Sequence, residues 1–293
     1  MHENDGGGSK PMDPKGKAAM TRARPEAPRA PHFIVTIYGD VVEPRGGTVW
    51  MGTLIEACAE HGISESLVRT AVSRLVGAGQ LDGVRIGRKS YYRLSDAAQT
   101  GFAAASRILF DPPPPPDRWL IAMPGSALGS DLRFPWVRIG SGVALAPEWQ
   151  DLMAPDGAVF EARSLCGDIA ALASQHWALN DVAAAYHLVL ERFGNTPDPD
   201  SMSGREALSL RLRLVDDYRR AALSDPRLPR SALPADWPAE AARALFVRIY
   251  CALSPVADHC VSSLFRDQNG PLPETTPATV HRLGRLQIEC GAT

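Results

Sequence analysis

The 293-residue sequence is short of several features that would settle its class at once. Aromatic residues make up 7% of it and charged residues 22%, with 31 Lys and Arg against 33 Asp and Glu, so the formal net charge is −2. A chain this close to neutral has no whole-molecule field to draw it to nucleic acid, and any such attraction must be local. Cysteine is sparse: Cys58, Cys166, Cys251, Cys260 and Cys290 are odd in number, and no two form a C-x-x-C pair. That pattern offers no metal site and no disulfide framework, and fits free thiols in the cytoplasm. No apolar run reaches the roughly 20 residues of a membrane span. The N-terminal MHENDGGGSK has no apolar core of the secretory kind. A P-loop, a G-x-S-x-G elbow and an H-E-x-x-H pair are all missing. His176, His187 and His259 stand apart from one another, and GSALGSD at 125–131 lacks the spacing of a phosphate-binding loop. No catalytic residue, metal ligand or cofactor is expected.

What is present is an ordinary globular composition, 45% hydrophobic, in a chain long enough for two or three domains. Residues 1–31 are rich in Gly, Pro, Lys and Arg and read as a disordered arm. Folded structure is expected from His32. FIVTIYGDVV is ambiguous, since its β-branched residues favour a strand while its length permits a helix. Thr48 can cap a helix carrying Met51, Leu54, Ile55 and Cys58 on one face. Ser64 can cap the next, which buries Val68, Ala71, Val72 and Leu75 and turns Ser66, Arg69, Thr70, Ser73 and Arg74 outward. Strands over Leu81–Ile86 and Tyr91–Leu94 follow, joined through Gly87-Arg88-Lys89-Ser90. A helix capped by Ser95 leaves this 32–111 unit, and five prolines in DPPPPPD make a spacer at 112–117.

Residues 118–195 mix strands (RWLIAM, VRIGSGVALAP, GAVFEAR) with two helices, the second capped by Asn180 and stopped by Gly194. A helical domain is expected over 196–266, with helices at Arg205–Leu223 and Pro238–Leu253, the latter capped by Asp236. Asp216-Asp217 beside Arg219-Arg220 reads as a solvated or ion-paired face, and 267–293 as loop or tail. The fold class is therefore α+β.

The outward face of the Ser64 helix has the small polar and basic side chains that can enter a major groove. Arg can bond guanine bidentately, and Ser and Thr can bond phosphates or base edges. From Ser66 to Arg93 there are six cations (Arg69, Arg74, Arg85, Arg88, Lys89, Arg93) against Asp82 alone, a local balance of +5. A basic patch on a near-neutral chain is the footprint expected of a double-stranded DNA partner. The contact set read from the sequence is Ser66, Arg69, Thr70, Ser73, Arg74, Arg85, Arg88, Lys89 and Tyr91. Tyr91 and Tyr92 must face opposite sides of their strand.

The elements Y-G-D (38–40), R-G-G (45–47), V-R-T-A-V-S-R-L (68–75) and G-R-K-S-Y-Y-R-L (87–94) resemble the PaaX family of bacterial repressors. The resemblance resumes at FEAR, at HWALNDVAAAYHLVLERF and at DDYRRAALSDPRLPRSALPADWP, in the same order. It implies an N-terminal winged helix-turn-helix, a central ferredoxin-like module and a C-terminal helical domain. It also implies a homodimer on an inverted-repeat operator, released by an aryl-acyl-CoA effector such as phenylacetyl-CoA. Such an effector needs cations for its phosphates and an apolar slot for its acyl group, and Arg133, Trp136, Arg138, Trp177 and Tyr186 are of the right type. Two departures from the family pattern bear on this, the second being Asp216 where relatives often have His, so no role is carried over to that position. In the first, RWLIAMPGSALGSDLRFPW leaves little room for the first helix of a ferredoxin-like module. Its strand also runs into Pro124 without the aspartate of the related nucleases, against nuclease chemistry. An enzyme of the nuclease or CoA-ester-processing kind, and an interaction protein that does not bind DNA, are the alternatives.

Overall fold

A computed structural model describes residues 27–123 and 132–291. The arm up to residue 26, Pro124 and the GSALGSD run lie outside the described residues. The first unit opens with α1 (Ala30–Ile37), which continues as a wider π-type turn over Tyr38–Val42. The ambiguous FIVTIYGDVV is thus helical. Phe33, Ile34, Ile37, Tyr38 and Val41 are all buried along one side, and tertiary burial overrides the strand propensity of its β-branched residues. Thr48 is not a cap: it begins a short strand, β1 (Thr48–Trp50), and Trp50 takes the N-cap position of α2 (Met51–Ala59).

α3 (Glu65–Gly77) begins after Ser64, as its spacing predicts, but the Ser64 hydroxyl faces Ser66 Oγ at 3.1 Å and makes no cap bond. The buried stripe of α3 is Val68, Ala71, Val72 and Leu75. β2 (Leu81–Ile86) and β3 (Lys89–Leu94) then form a hairpin closed by Gly87 and Arg88 alone, two residues tighter than the sequence indicates. Gly87 takes φ +60°, which a two-residue turn needs and other residues resist. β3 is central in a three-stranded antiparallel sheet ordered β1-β3-β2.

α4 (Asp96–Phe110) leaves through Ser95, whose Oγ accepts from Ala98 N and donates to Gly79 O at 2.5 Å. Ser95 therefore ties the end of α3 to the start of α4. After the prolines, β4 (Trp119–Met123), β5 (Val137–Gly140), β6 (Val143–Pro147) and β7 (Ala158–Ala162) make an antiparallel sheet ordered β5-β6-β4-β7. α5 (Ile169–His176) packs against β5.

α6 (Leu179–Phe193) joins α7 (Gly204–Ser224) and α8 (Ala239–Leu264) in a helical layer, so it packs with the C-terminal helices rather than with the sheet. Its N-cap is Ala178 and not Asn180, and the α8 cap is Pro238 and not Asp236. α8 runs 11 residues past the expected end at Leu253, through Pro255. By length and composition it could cross a membrane, but 61% of its most apolar window is buried against its neighbours, as in a core helix. Residues 277–291 are a further helix, α9 (Pro277–Gly291), not loop. Its weak periodicity has a simple cause: Leu286 is its one fully buried apolar side chain, and arginines do the rest of the anchoring.

Candidate nucleic-acid interface

Two groups of charged residues stand out, one on the surface and one inside. On the surface, Ser66, Arg69, Thr70, Ser73 and Arg74 of α3 are all exposed, opposite its buried stripe. Arg69 is engaged by Glu65 one turn back, with Nε at 2.8 Å and Nη2 at 2.7 Å from the same oxygen. Thr70 Oγ1 donates to Ser66 O at 2.8 Å. Arg74 has no ion-pair partner among the described residues.

At the hairpin, Arg85 and Arg88 are exposed, and Arg85 Nε donates to Gly87 O at 3.2 Å across the turn. The Lys89 ammonium sits 4.8 Å from the centre of the Trp50 ring, which steers a flexible cation with a cation–π contact. Sequence reasoning missed Trp50 as a platform, because the pairing of β1 with β3 that sets it beside the hairpin is not a local signal. Arg93 is different: Asp82 at 3.2 Å and Asp96 at 3.3 Å both pair with it. Counted from Ser64 to Asp96, with Glu65 and Asp96 included, the balance falls from +5 to +3. Arg74, Arg85, Arg88 and Lys89 are the cations left without a carboxylate.

Tyr91 does not belong to this surface. It is 6% exposed, flanked across the sheet by Trp50 on β1 and Val84 on β2. A middle-strand tyrosine between two large neighbours is covered on both sides. Tyr92 faces the core, with its ring across Gly83, where an added Cβ would come within 2.8 Å. Leu67, 56% exposed on α3, was passed over by the sequence reading, although its offset from the buried stripe marks it as outward.

The inner group joins the first unit to the C-terminal helices. Arg211 of α7 donates to Asp40 Oδ2 at 3.0 Å and to Asp258 Oδ1 at 2.7 Å, and Arg45 reaches the same Asp258 oxygen at 2.7 Å. Tyr250 OH donates to Asp40 Oδ1 at 2.8 Å. Arg282 of α9 donates to the carbonyls of Asp40 and Gly39 at 3.2 and 3.1 Å. Arg45, Arg211 and Asp40 are almost wholly buried. The Y-G-D and R-G-G elements therefore hold the unit carrying α3 onto α7, α8 and α9. Asp216 and Asp217 extend this junction. Both are buried, so the solvated reading fails and the ion-paired one holds: Thr36 Oγ1 donates to Asp216 at 2.7 Å, and Arg220 and Arg192 reach Asp217.

The five residues considered for a small-molecule effector do not line one cavity: Arg133, Trp136, Arg138 and Trp177 gather around the 133–138 segment, and Tyr186 lies apart from them. Trp136 and Trp177 are buried, and their indole N–H groups donate to Met153 O and Pro135 O, both at 2.9 Å. Arg133 and Arg138 are exposed at the β5 end. Only Tyr186 lines a large cavity, and the other four do not. Among the described residues, no group of three or more His, Cys, Asp or Glu side chains could hold a metal ion.

Comparison with known proteins gives concordant results. A family model described as PaaX-like protein matches residues 29–98, and one described as PaaX-like protein C-terminal domain matches residues 177–263. The chain is 32% identical over 287 residues to the transcriptional repressor PaaX of Escherichia coli K12, covering 88% of this chain and 90% of that one. Among solved structures it resembles the uncharacterised protein Rv0674 from Mycobacterium tuberculosis, with 25% identity and a TM-score of 0.50 over 78% of this chain and 97% of that one.

Proposed function

The chain belongs to the PaaX family, and from that premise we propose that it is a cytoplasmic transcriptional repressor that reads double-stranded DNA with α3 and grips it with the β2–β3 hairpin. The order α1, β1, α2, α3, β2, β3 suits a winged helix-turn-helix, with α3 as the recognition helix and the hairpin as the wing. The observation that carries the reading is the split within one short segment. The stripe Val68, Ala71, Val72, Leu75 fixes the pose of α3, while Ser66, Thr70, Ser73 and Arg74 are exposed beside it and Arg88 and Lys89 crown the hairpin.

Arg74 is the natural base reader, since no carboxylate must be given up first. Arg69 reads a base only by leaving Glu65. Arg85, Arg88 and Lys89 suit phosphates, which position the protein without reading sequence, and Leu67 suits a thymine methyl. In the central module, the strand order β5-β6-β4-β7 supports a ferredoxin-like reading, while residues 148–157 carry no helix where such a module has its second one. By family resemblance, the repressor acts as a homodimer on an inverted repeat and is released by an aryl-acyl-CoA such as phenylacetyl-CoA.

The test is a mobility-shift titration with the DNA upstream of the protein's own gene. The wild type should form a specific complex, and the triple variant Arg74→Ala/Arg88→Ala/Lys89→Ala should lose it while keeping its thermal melting temperature. Equal binding by the two proteins contradicts the assignment.

A further inference from the structure

On the proposed reading, the chain enters the first unit beside the DNA-facing end of α3. The Phe33 ring in the first turn of α1 packs against His61 with ring centres 4.3 Å apart, and His61 lies in the turn between α2 and α3. Ahead of α1 the chain runs back through Arg29, its N-cap, to Ala27. A Cβ placed on Gly62 would lie 3.8 Å from the Ala27 methyl, so Ala27 rests against that same turn. Ala27 and Gly62 are both exposed, and Ser64, two residues on, is the N-cap of α3. The N-terminal residues of a recognition helix are those that meet base edges. Whatever precedes Ala27 is therefore delivered to that end of α3.

What precedes it is basic. The ten residues KGKAAMTRAR (15–24) hold four cations, Lys15, Lys17, Arg22 and Arg24, and no acid, in a chain whose net charge is −2. Such a run needs solvent or an anion to offset its self-repulsion. The two carboxylates flanking the α2–α3 turn are already taken: Glu60 pairs with Arg205 at 3.2 Å and Glu65 with Arg69 at 2.7 Å. A duplex under α3 supplies the negative charge that this turn does not. Between its cations the run has only Gly16, Ala18, Ala19, Met20, Thr21 and Ala23, so no ring bars it from a narrow groove.

The reach also fits. A flanking minor groove opens about half a helical turn, roughly 17 Å, from the major groove that α3 reads. Arg24 stands three residues before Ala27 and Arg22 five, which extended chain spans in about 10 and 17 Å. Lys15 is twelve residues away, about 40 Å of extended chain, enough to pass beyond that groove.

We propose that residues 15–24 are a second DNA-binding element, with Arg22 and Arg24 entering the minor groove that flanks the site read by α3 and Lys15 and Lys17 meeting phosphates beyond it. The proposal rests on α3 being the DNA-reading helix. Arginine is drawn to a minor groove narrowed by A·T pairs, where the potential is most negative, and that groove separates A·T from G·C and little else. The element therefore lengthens the recognised site and adds a preference for A·T flanks, which neither α3 nor the hairpin provides.

The experiment titrates the full chain against two duplexes that share the site from upstream of its own gene and differ only in carrying A·T or G·C flanks. The wild type should prefer the A·T flanks. Arg22→Ala/Arg24→Ala should lose that preference, bind the A·T duplex at least about tenfold more weakly, and flatten the salt slope by about 2. Lys15→Ala/Lys17→Ala should flatten the slope by about 2 and keep the preference. Both variants should melt at the wild-type temperature. Wild-type binding of both duplexes by Arg22→Ala/Arg24→Ala overturns the proposal, and if Arg74→Ala/Arg88→Ala/Lys89→Ala still loses the complex, the repressor reading stands. A flattened slope in the arginine variant with no flank preference in the wild type puts these arginines on phosphates and overturns the groove assignment. Loss of binding in the variants at 15–24 but not in the α3 and hairpin triple variant overturns the reading of α3, and with it this placement. A wild type without DNA affinity overturns both.

Discussion

The surface of α3 with its hairpin and the buried junction at Asp40 are built from the same residue types in opposite settings. On the surface, Arg74 and Arg88 have no carboxylate beside them and lose little by waiting in water. At the junction, Arg45 and Arg211 have lost nearly all contact with water and must be matched by Asp40 and Asp258. On the proposed function, arginine is a reader in one place, and by its ion pairs it is a fastener in the other. The partners decide which: Arg93 looks like a reader by position, yet Asp82 and Asp96 make it a fastener.

The largest expected effect breaks the inner member of this pair. Asp40→Ala leaves Arg211 with one carboxylate fewer, and removing one partner of a buried pair costs about 3–5 kcal/mol. Chemical denaturation should show that loss, with DNA binding falling only as far as the protein unfolds. Breaking the outer member gives the reverse pattern. Arg74→Ala should cost about 1–3 kcal/mol in binding to the specific site and leave stability within about 0.5 kcal/mol of wild type.

Two partly buried groups of the first unit sharpen the contrast through pH. Burial, with help from Arg213, pushes the His61 imidazole down to about 4 from 6.5. The unfolded chain protonates it first, so its contribution is complete above about pH 6.5 and is lost as pH falls toward 4. Burial pushes Glu43 up to about 7 from 4.5, so the folded state keeps a proton that the unfolded chain releases, and acidification across that range adds stability. The two slopes oppose each other between about pH 6.5 and 4.5. Denaturation midpoints of His61→Asn should rise on acidification relative to wild type, and those of Glu43→Gln should fall. The smallest effect belongs to Arg93→Ala, which should change DNA affinity by less than about 0.5 kcal/mol because its charge is already matched.

The outer region was legible in the sequence because its signals are local. The 3.6-residue spacing of Val68, Ala71, Val72 and Leu75 places Arg74 outside without further information. The inner region was not legible, because its pairs join residues 171 positions apart, as in Arg211 with Asp40. No charge count along the chain separates a buried Asp216 from a solvated one. α9 escaped for a related reason: Arg282 fastens it to Asp40 and Gly39 from the far end of the chain, and its apolar pattern is thin. The helical state of FIVTIYGDVV was hidden by residues whose propensity points the other way until burial is counted. Tyr91 shows the converse: its alternation along β3 was legible, but its cover by Trp50 and Val84 required the strand pairing.

The division between free and fastened cations is tested most directly by the salt dependence of DNA affinity. Each phosphate contact contributes about −0.9 to the slope of log affinity against log salt. The account predicts that Arg88→Ala/Lys89→Ala flattens that slope by about 2, while Arg93→Ala leaves it as in the wild type. An unchanged slope in the double variant, or a slope flattened as much by Arg93→Ala, would contradict it.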